Sequence, residues 1–175
     1  MTAQVPDTYL YEGKEYSIVA MSKRINFNPL KYGIDPQWTC TACWDGYSID
    51  YRIEDSKILL NRLWVSQSNS GYPDVNSIKV KKLEKSGIFS YVYENVNITI
   101  NYTGKIVIGN GFIDKYYTHT AFMSQRPWAY DKVLELIFEK GILVDVLDHS
   151  ETVRAIREEI DADRNIDEYF KYWWI

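Results

Sequence analysis

The residues of this chain whose types could carry nucleophilic or metal chemistry are two cysteines, in Cys40-Thr41-Ala42-Cys43, and two histidines, His119 and His149. A redox-active CxxC belongs at a helix N-terminus, where the macrodipole lowers the thiol pKa. Here the pair sits in a Thr- and Trp-rich run, Thr39–Trp44, that reads as a strand. Positions three apart on a strand face opposite ways, which defeats joint metal ligation. A zinc site would also need two further ligands at suitable spacing. Cys43, Asp45, His119 and His149, with Asp148, are the candidates for a nucleophile–base arrangement assembled from distant parts of the chain. No GxSxG elbow, HExxH helix or Walker-type glycine loop frames them, and Gly109-Asn110-Gly111 reads as a turn or bulge. No catalytic residue, metal or cofactor is therefore assigned. Asp161-x-Asp163-x-Asn165-x-Asp167 opens like an EF-hand loop, but Ile166 stands where glycine is required and Tyr172 where a bidentate glutamate belongs. These acids are expected to cap and solvate helix ends.

Charge narrows the partners. The 175 residues carry a net charge of −4. Residues 1–100 balance, with 11 basic and 11 acidic side chains, whereas residues 131–175 hold 6 basic against 12 acidic. An acidic end argues against nucleic acid, which needs a basic footprint, and suits a basic protein. Asp145, Asp148, Glu151, Glu158 and Glu159 are the expected steering groups, with Trp173 and Trp174 as anchors. The start has no basic segment followed by an apolar one, and no apolar run approaches the ~20 residues that cross a bilayer. A cytoplasmic protein with no membrane contact is the expectation.

Turn punctuation supplies the scaffold that must position these groups. Glu12-Gly13-Lys14, Asp55-Ser56-Lys57, Thr103-Gly104-Lys105 and Lys140-Gly141 each interrupt a run rich in apolar, β-branched and aromatic residues, the pattern of a β-hairpin. The hairpins are predicted over Tyr9–Val19, Ile49–Val65, Ile98–Ile113 and Val133–Leu147. Further strands are expected at Thr39–Trp44, Ile78–Leu83 and Ile88–Tyr93. Residues 128–139 also satisfy helical spacing after Pro127, but the turn at Lys140-Gly141 and the ILVDV that follows favour a strand. Ser66–Ser77, polar and rich in Ser and Asn, reads as a linker between sub-units 7–65 and 78–147 of one domain spanning 1–175. The second and third hairpins can be laid over each other, as a duplication would leave them.

Residues 148–175 read as helical. Asp148 and Glu151 have capping-box spacing, Val153, Ile156 and Ile160 form an apolar stripe, and a second short helix would hold Ile166, Tyr169, Phe170 and Trp173 on one face. So apolar a tail should be docked, on its own sheet or in a homodimer. The predicted fold is α+β and predominantly antiparallel: four hairpins in a curved sheet, a barrel or two packed sheets, closed by one or two C-terminal helices.

The segments Trp38–Gly46, Tyr102–Ile113, Gln125–Tyr130 and Leu134–Ser150 resemble a family of small, soluble bacterial proteins of unassigned activity. The resemblance covers most of residues 8–150 and implies no catalytic residues. In type, though not in motif, such proteins include immunity proteins of toxin systems. The expected function is a non-enzymatic protein-binding module, most concretely an immunity or inhibitor protein masking a basic partner. The alternative is a β-barrel or sandwich that binds or acts on a small apolar ligand, with Tyr and Trp lining its cavity.

Overall fold

Three of the predicted turns have the backbone that a two-residue hairpin demands. Glu12 and Gly13 (φ 49° and 74°), Asp55 and Ser56 (49° and 59°) and Lys140 and Gly141 (49° and 83°) all lie in the left-handed region. Two consecutive positive φ values match the twist of the flanking strands. In a computed structural model that describes residues 5–84, 87–118 and 124–163, these turns join β1 (Thr8–Tyr11) to β2 (Lys14–Met21), β3 (Tyr47–Glu54) to β4 (Lys57–Val65), and β8 (Tyr130–Glu139) to β9 (Ile142–Asp148). Residues 130–139 are thus strand, preceded by a single 3₁₀ turn at Pro127–Ala129. The remaining strands are β5 (Lys81–Lys82), β6 (Tyr91–Thr99) and β7 (Gly104–Phe112).

The third expected hairpin does not form. β6 pairs with β4 and β5, while β7 pairs with β2 and β8. Gly104 has φ 151°, outside the hairpin-turn region, and Ser22 clamps its neighbour: Lys105 N–H donates to Ser22 Oγ and Ser22 N–H donates to Lys105 O, both at 2.9 Å. A further pair of positive φ values occurs instead at Asn76 and Ser77, where Val75 and Ile78 exchange two backbone hydrogen bonds. The expected strand at Ile78–Leu83 shrinks to β5. That at Ile88–Tyr93 starts later and merges with Ile98 and Thr99 into β6.

All nine strands among the described residues belong to one sheet, in the order β3-β1-β2-β7-β8-β9-β4-β6-β5, with β3 also paired to β4. Strands from 7–65 (β3-β1-β2, then β4) and from 78–147 (β7-β8-β9, then β6-β5) interleave in it as blocks. Every pairing is antiparallel except β1 with β3. The sheet curves until β9 meets β4 at Lys57 and Ile142.

Successive residues on β2, β7 and β8 face opposite sides, and both sides are covered there. Ile18, Ile106, Ile108, Leu134, Leu136 and Phe138 point into the main core with Tyr9, Tyr51, Leu60 and Leu63. Val19, Val107 and Val133 point outward against Trp128, Ala129 and the helix α1 (Ser150–Asp163). Burial on two faces explains the nearly continuous apolar runs of these strands. The predicted stripe Val153, Ile156 and Ile160 is the buried face of α1. Its start differs from a capping box: Asp148 Oδ1 accepts from Ser150 N–H at 3.0 Å, an Asx turn, while Glu151 pairs with Arg154. Asp161 lies within α1, held by Lys115 and by Tyr116 Oη–H. The second helix, Asn165, Asp167, Trp173 and Trp174 lie outside the described residues. No helix among those described is long and apolar enough to cross a membrane.

Candidate functional site

The run Thr39–Trp44 is a turn, not a strand. Trp38 Nε1–H donates to Cys40 O (2.6 Å), Trp44 Nε1–H to Thr41 O (3.1 Å) and Cys43 N–H to Cys40 O (3.2 Å), folding the run back on itself. The strand argument against joint ligation by the two cysteines therefore falls. Gly46 closes the turn at φ +71°, where a Cβ would lie 2.5 Å from Gln37 O. Val5 N–H donates to Ala42 O (2.9 Å), tying the segment before β1 to this loop.

Between them lies a cleft of about 320 Å3, walled by Asp7, Ile18, Met21, Arg24, Cys43, Trp44, Asp45 and Tyr47. It continues into a recess of about 80 Å3 that reaches Ile49 and Tyr51. Asp7 Oδ1 accepts from Ile49 N–H (2.8 Å) and Ser48 Oγ–H (3.1 Å). Burial pushes this carboxyl up to about 6, and the nearby charge of Asp50 adds to the shift, whereas the two hydrogen bonds and Arg24 oppose it. At the rim, Arg24 forms an ion pair with Asp45, both side chains more than half exposed. Asp45 also holds the Arg24 cation more firmly protonated.

Of the catalytic candidates, Cys43 and Asp45 meet in this cleft. The Cys43 thiol donates to Tyr47 O (3.4 Å), and burial pushes its pKa up to about 11, which keeps it a thiol rather than a nucleophilic thiolate. His149 is elsewhere, and His119 lies outside the described residues. His149 Nε2 stands 2.8 Å from Glu135 Oε2, and Lys105 Nζ lies 2.7 Å from Glu135 Oε1. Glu135 is buried on the face that α1 covers. Burial alone would push its carboxyl up, but Lys105 and His149 together hold it below the ordinary glutamate value. Lys105→Met should cost about 1–2 kcal/mol in urea unfolding at neutral pH. Since the depressed carboxyl supports the fold only while ionised, that difference should shrink as pH falls below about 4.5.

The acidic candidates lie on β9 and α1. Asp145, Glu151, Glu158 and Glu159 are exposed. Asp145 accepts from Val146 N–H, and Asp148 is pushed down to about 2 by Lys132 and Ser150. Arg157, one of two arginines on α1, is turned inward and buried, so the helix surface is more acidic than its sequence. Sequence reasoning missed Asp7, Arg24, Trp38 and Tyr47. Reading Pro36 and Gly46 as the ends of a loop would have exposed the Trp pair between them.

Fold and cleft together define a mostly antiparallel α+β protein with an acidic, aromatic opening at one rim. No family model matches the chain, and no curated protein or solved structure matches it.

Proposed function

We propose that this protein is a non-enzymatic binding module that masks a basic protein partner, as an immunity or inhibitor protein does. One observation carries the reading: Trp38 and Trp44 are 60% and 56% exposed, with ring centroids 6.1 Å apart. Tryptophan at the surface is a residue of binding hot spots, and here each indole N–H is satisfied by the loop's own carbonyls. These two add to the anchors expected at Trp173 and Trp174, which lie outside the described residues. Asp7 and Asp45 line the cleft beside Trp44, and the exposed acids Asp145, Glu151, Glu158 and Glu159 add long-range attraction for a basic surface. The small-ligand alternative gains less support, because Tyr9, Tyr51, Leu60, Leu63 and Phe138 fill the space inside the curved sheet.

Immobilised protein should capture a basic protein from its source cell at low salt. The double variant Trp38→Ala, Trp44→Ala should weaken that capture by at least about tenfold, the effect of losing one hot spot. Equal capture by wild type and variant would sink the reading. Reversing Glu151, Glu158 and Glu159 to lysine should slow association at low salt. No change there would remove the electrostatic part.

A further inference from the structure

We propose that the cleft between Asp7 and Asp45 receives an arginine side chain of the partner, and that Arg24 is its resident, displaceable stand-in. This rests on the reading of a basic protein partner and specifies how that partner is recognised. Three features of the cleft carry it.

The first is its charge inventory. Among the described residues that wall the cleft, Asp7 and Asp45 are acidic and Arg24 is the one base. Arg24 is committed to Asp45. Both hydrogen bonds to the Asp7 carboxyl end on Oδ1, from Ile49 N–H and Ser48 Oγ–H, so Oδ2 is outside both. Among its described residues the cleft thus holds one more carboxyl group than cations.

The second is its shape and lining. About 320 Å3 accommodates a guanidinium and its alkyl stem. Met21 and Ile18 offer apolar surface to the stem, while Trp44 and Tyr47 offer aromatic surface to a planar cation. Arginine uses both kinds of wall and adds directed hydrogen bonds to carboxylates, which an ammonium matches less well.

The third is Arg24 itself. The chain already places one guanidinium on Asp45, with 73% of the Arg24 side chain exposed. An ion pair that exposed contributes little to stability, so a partner's arginine can displace it.

Capture of the incoming cation is coupled to the proton on Asp7. Among the described residues, the charged and titratable groups around Asp7 are Arg24 after β2, Asp45, Cys43 and Tyr47 in and beside the loop, and Asp50 and Tyr51 on β3. Asp50 is itself occupied by Arg62, Thr8 Oγ1–H and Trp64 Nε1–H. With the Asp7 carboxyl titrating near 6, it is mostly charged at about pH 7.5 and mostly neutral at about pH 5.

The test uses the full chain and a capped Gly-Gly-Arg-Gly-Gly peptide, with the same peptide carrying citrulline as the uncharged control. Amide and indole NMR shifts report the site. At about pH 7.5 the arginine peptide should move Asp7, Trp44 and Tyr47, and citrulline should not. Its affinity should fall about tenfold at about pH 5, following the charge on Asp7. Asp7→Asn should weaken binding about tenfold at the higher pH and abolish the pH dependence, whereas Arg24→Gln should tighten it a few-fold by freeing Asp45. Equal binding of citrulline, or of arginine to Asp7→Asn, would overturn the proposal, as would the absence of shifts at the cleft. The two readings fail separately. Loss of partner capture in the double Trp variant with no arginine binding at the cleft leaves the surface reading and removes this one. Arginine binding at the cleft with unchanged capture by the double Trp variant does the reverse.

Discussion

Replacing Arg157 with alanine is expected to cost about 3–5 kcal/mol of folding stability and to release α1 from the sheet. Arg157 is 8% exposed and crosses from the helix to the start of β8. Its Nη1 donates to Tyr130 O (2.7 Å) and Trp128 O (3.4 Å), and its guanidinium lies 6.0 Å from the centre of the Tyr116 ring. Alanine would strand two carbonyl oxygens in the layer between sheet and helix, at about 1–3 kcal/mol for each buried acceptor left without a donor. The lost stem would also leave a void beside Trp128 and Tyr116. The pair with Asp131 adds little, since it is 3.8 Å long and Asp131 is 81% exposed. Arg154 is the internal control: it is on the same helix, 60% exposed and paired only with exposed Glu151. Arg154→Ala should change stability by no more than about 0.5 kcal/mol. Urea unfolding measures both, and amide exchange along Ser150–Asp163 would show whether the helix opens ahead of the sheet. A small effect of Arg157→Ala on both would mean that Val153, Ile156 and Ile160 suffice to dock α1.

What the sequence reveals and conceals divides along local and non-local lines. Turns at Glu12-Gly13, Asp55-Ser56 and Lys140-Gly141 are legible because positive φ is a demand on the two residues themselves. The stripe of α1 is legible because its period is local. Thr103-Gly104-Lys105 carries the same residue types, yet Lys105 is bonded to Ser22 and β7 is paired with β2 and β8. Which strand pairs with which is decided by packing across the whole chain, and hairpin chemistry at one point does not report it. The overlay of the second and third hairpins therefore compares a paired unit with two strands that never touch each other's edge.

The site was concealed for a related reason. Trp38–Trp44 is rich in residues of high strand propensity, and that propensity largely expresses packing against neighbours. Here one indole N–H reaches a carbonyl two residues ahead and the other a carbonyl three residues behind, and the run becomes a surface loop. Asp7 gave no signal at all. It stands between Pro6 and Thr8, and its burial depends on β3 supplying Ser48 and Ile49.

Asp7→Asn is expected to make the protein more stable, by about 1–3 kcal/mol near pH 7.5. The carboxyl rises from an ordinary 3.8 to about 6 on folding. Between those values the folded chain binds a proton that the unfolded chain releases, so stability falls as pH rises through that window. Above it the cost is complete, at about 1.4 kcal/mol for each pH unit of displacement. Asparagine keeps an oxygen for Ile49 N–H and Ser48 Oγ–H and carries no charge to desolvate. Below the ordinary aspartate range the group is neutral in both states, so the advantage of the variant should vanish there. Urea unfolding at about pH 7.5 and about pH 3.5 checks the sign at both ends. A variant less stable at both would make Asp7 a plain structural acceptor. Lys105 and His149 draw Glu135 downward and Lys132 draws Asp148 downward, so those acids support the fold by being charged. Asp7 is displaced the other way, and its charge is maintained against the fold in the wall of an open cleft. Substitutions that relieve such a cost characteristically gain stability and lose function. A gain in stability together with a loss of arginine binding would identify Asp7 as a residue kept for recognition.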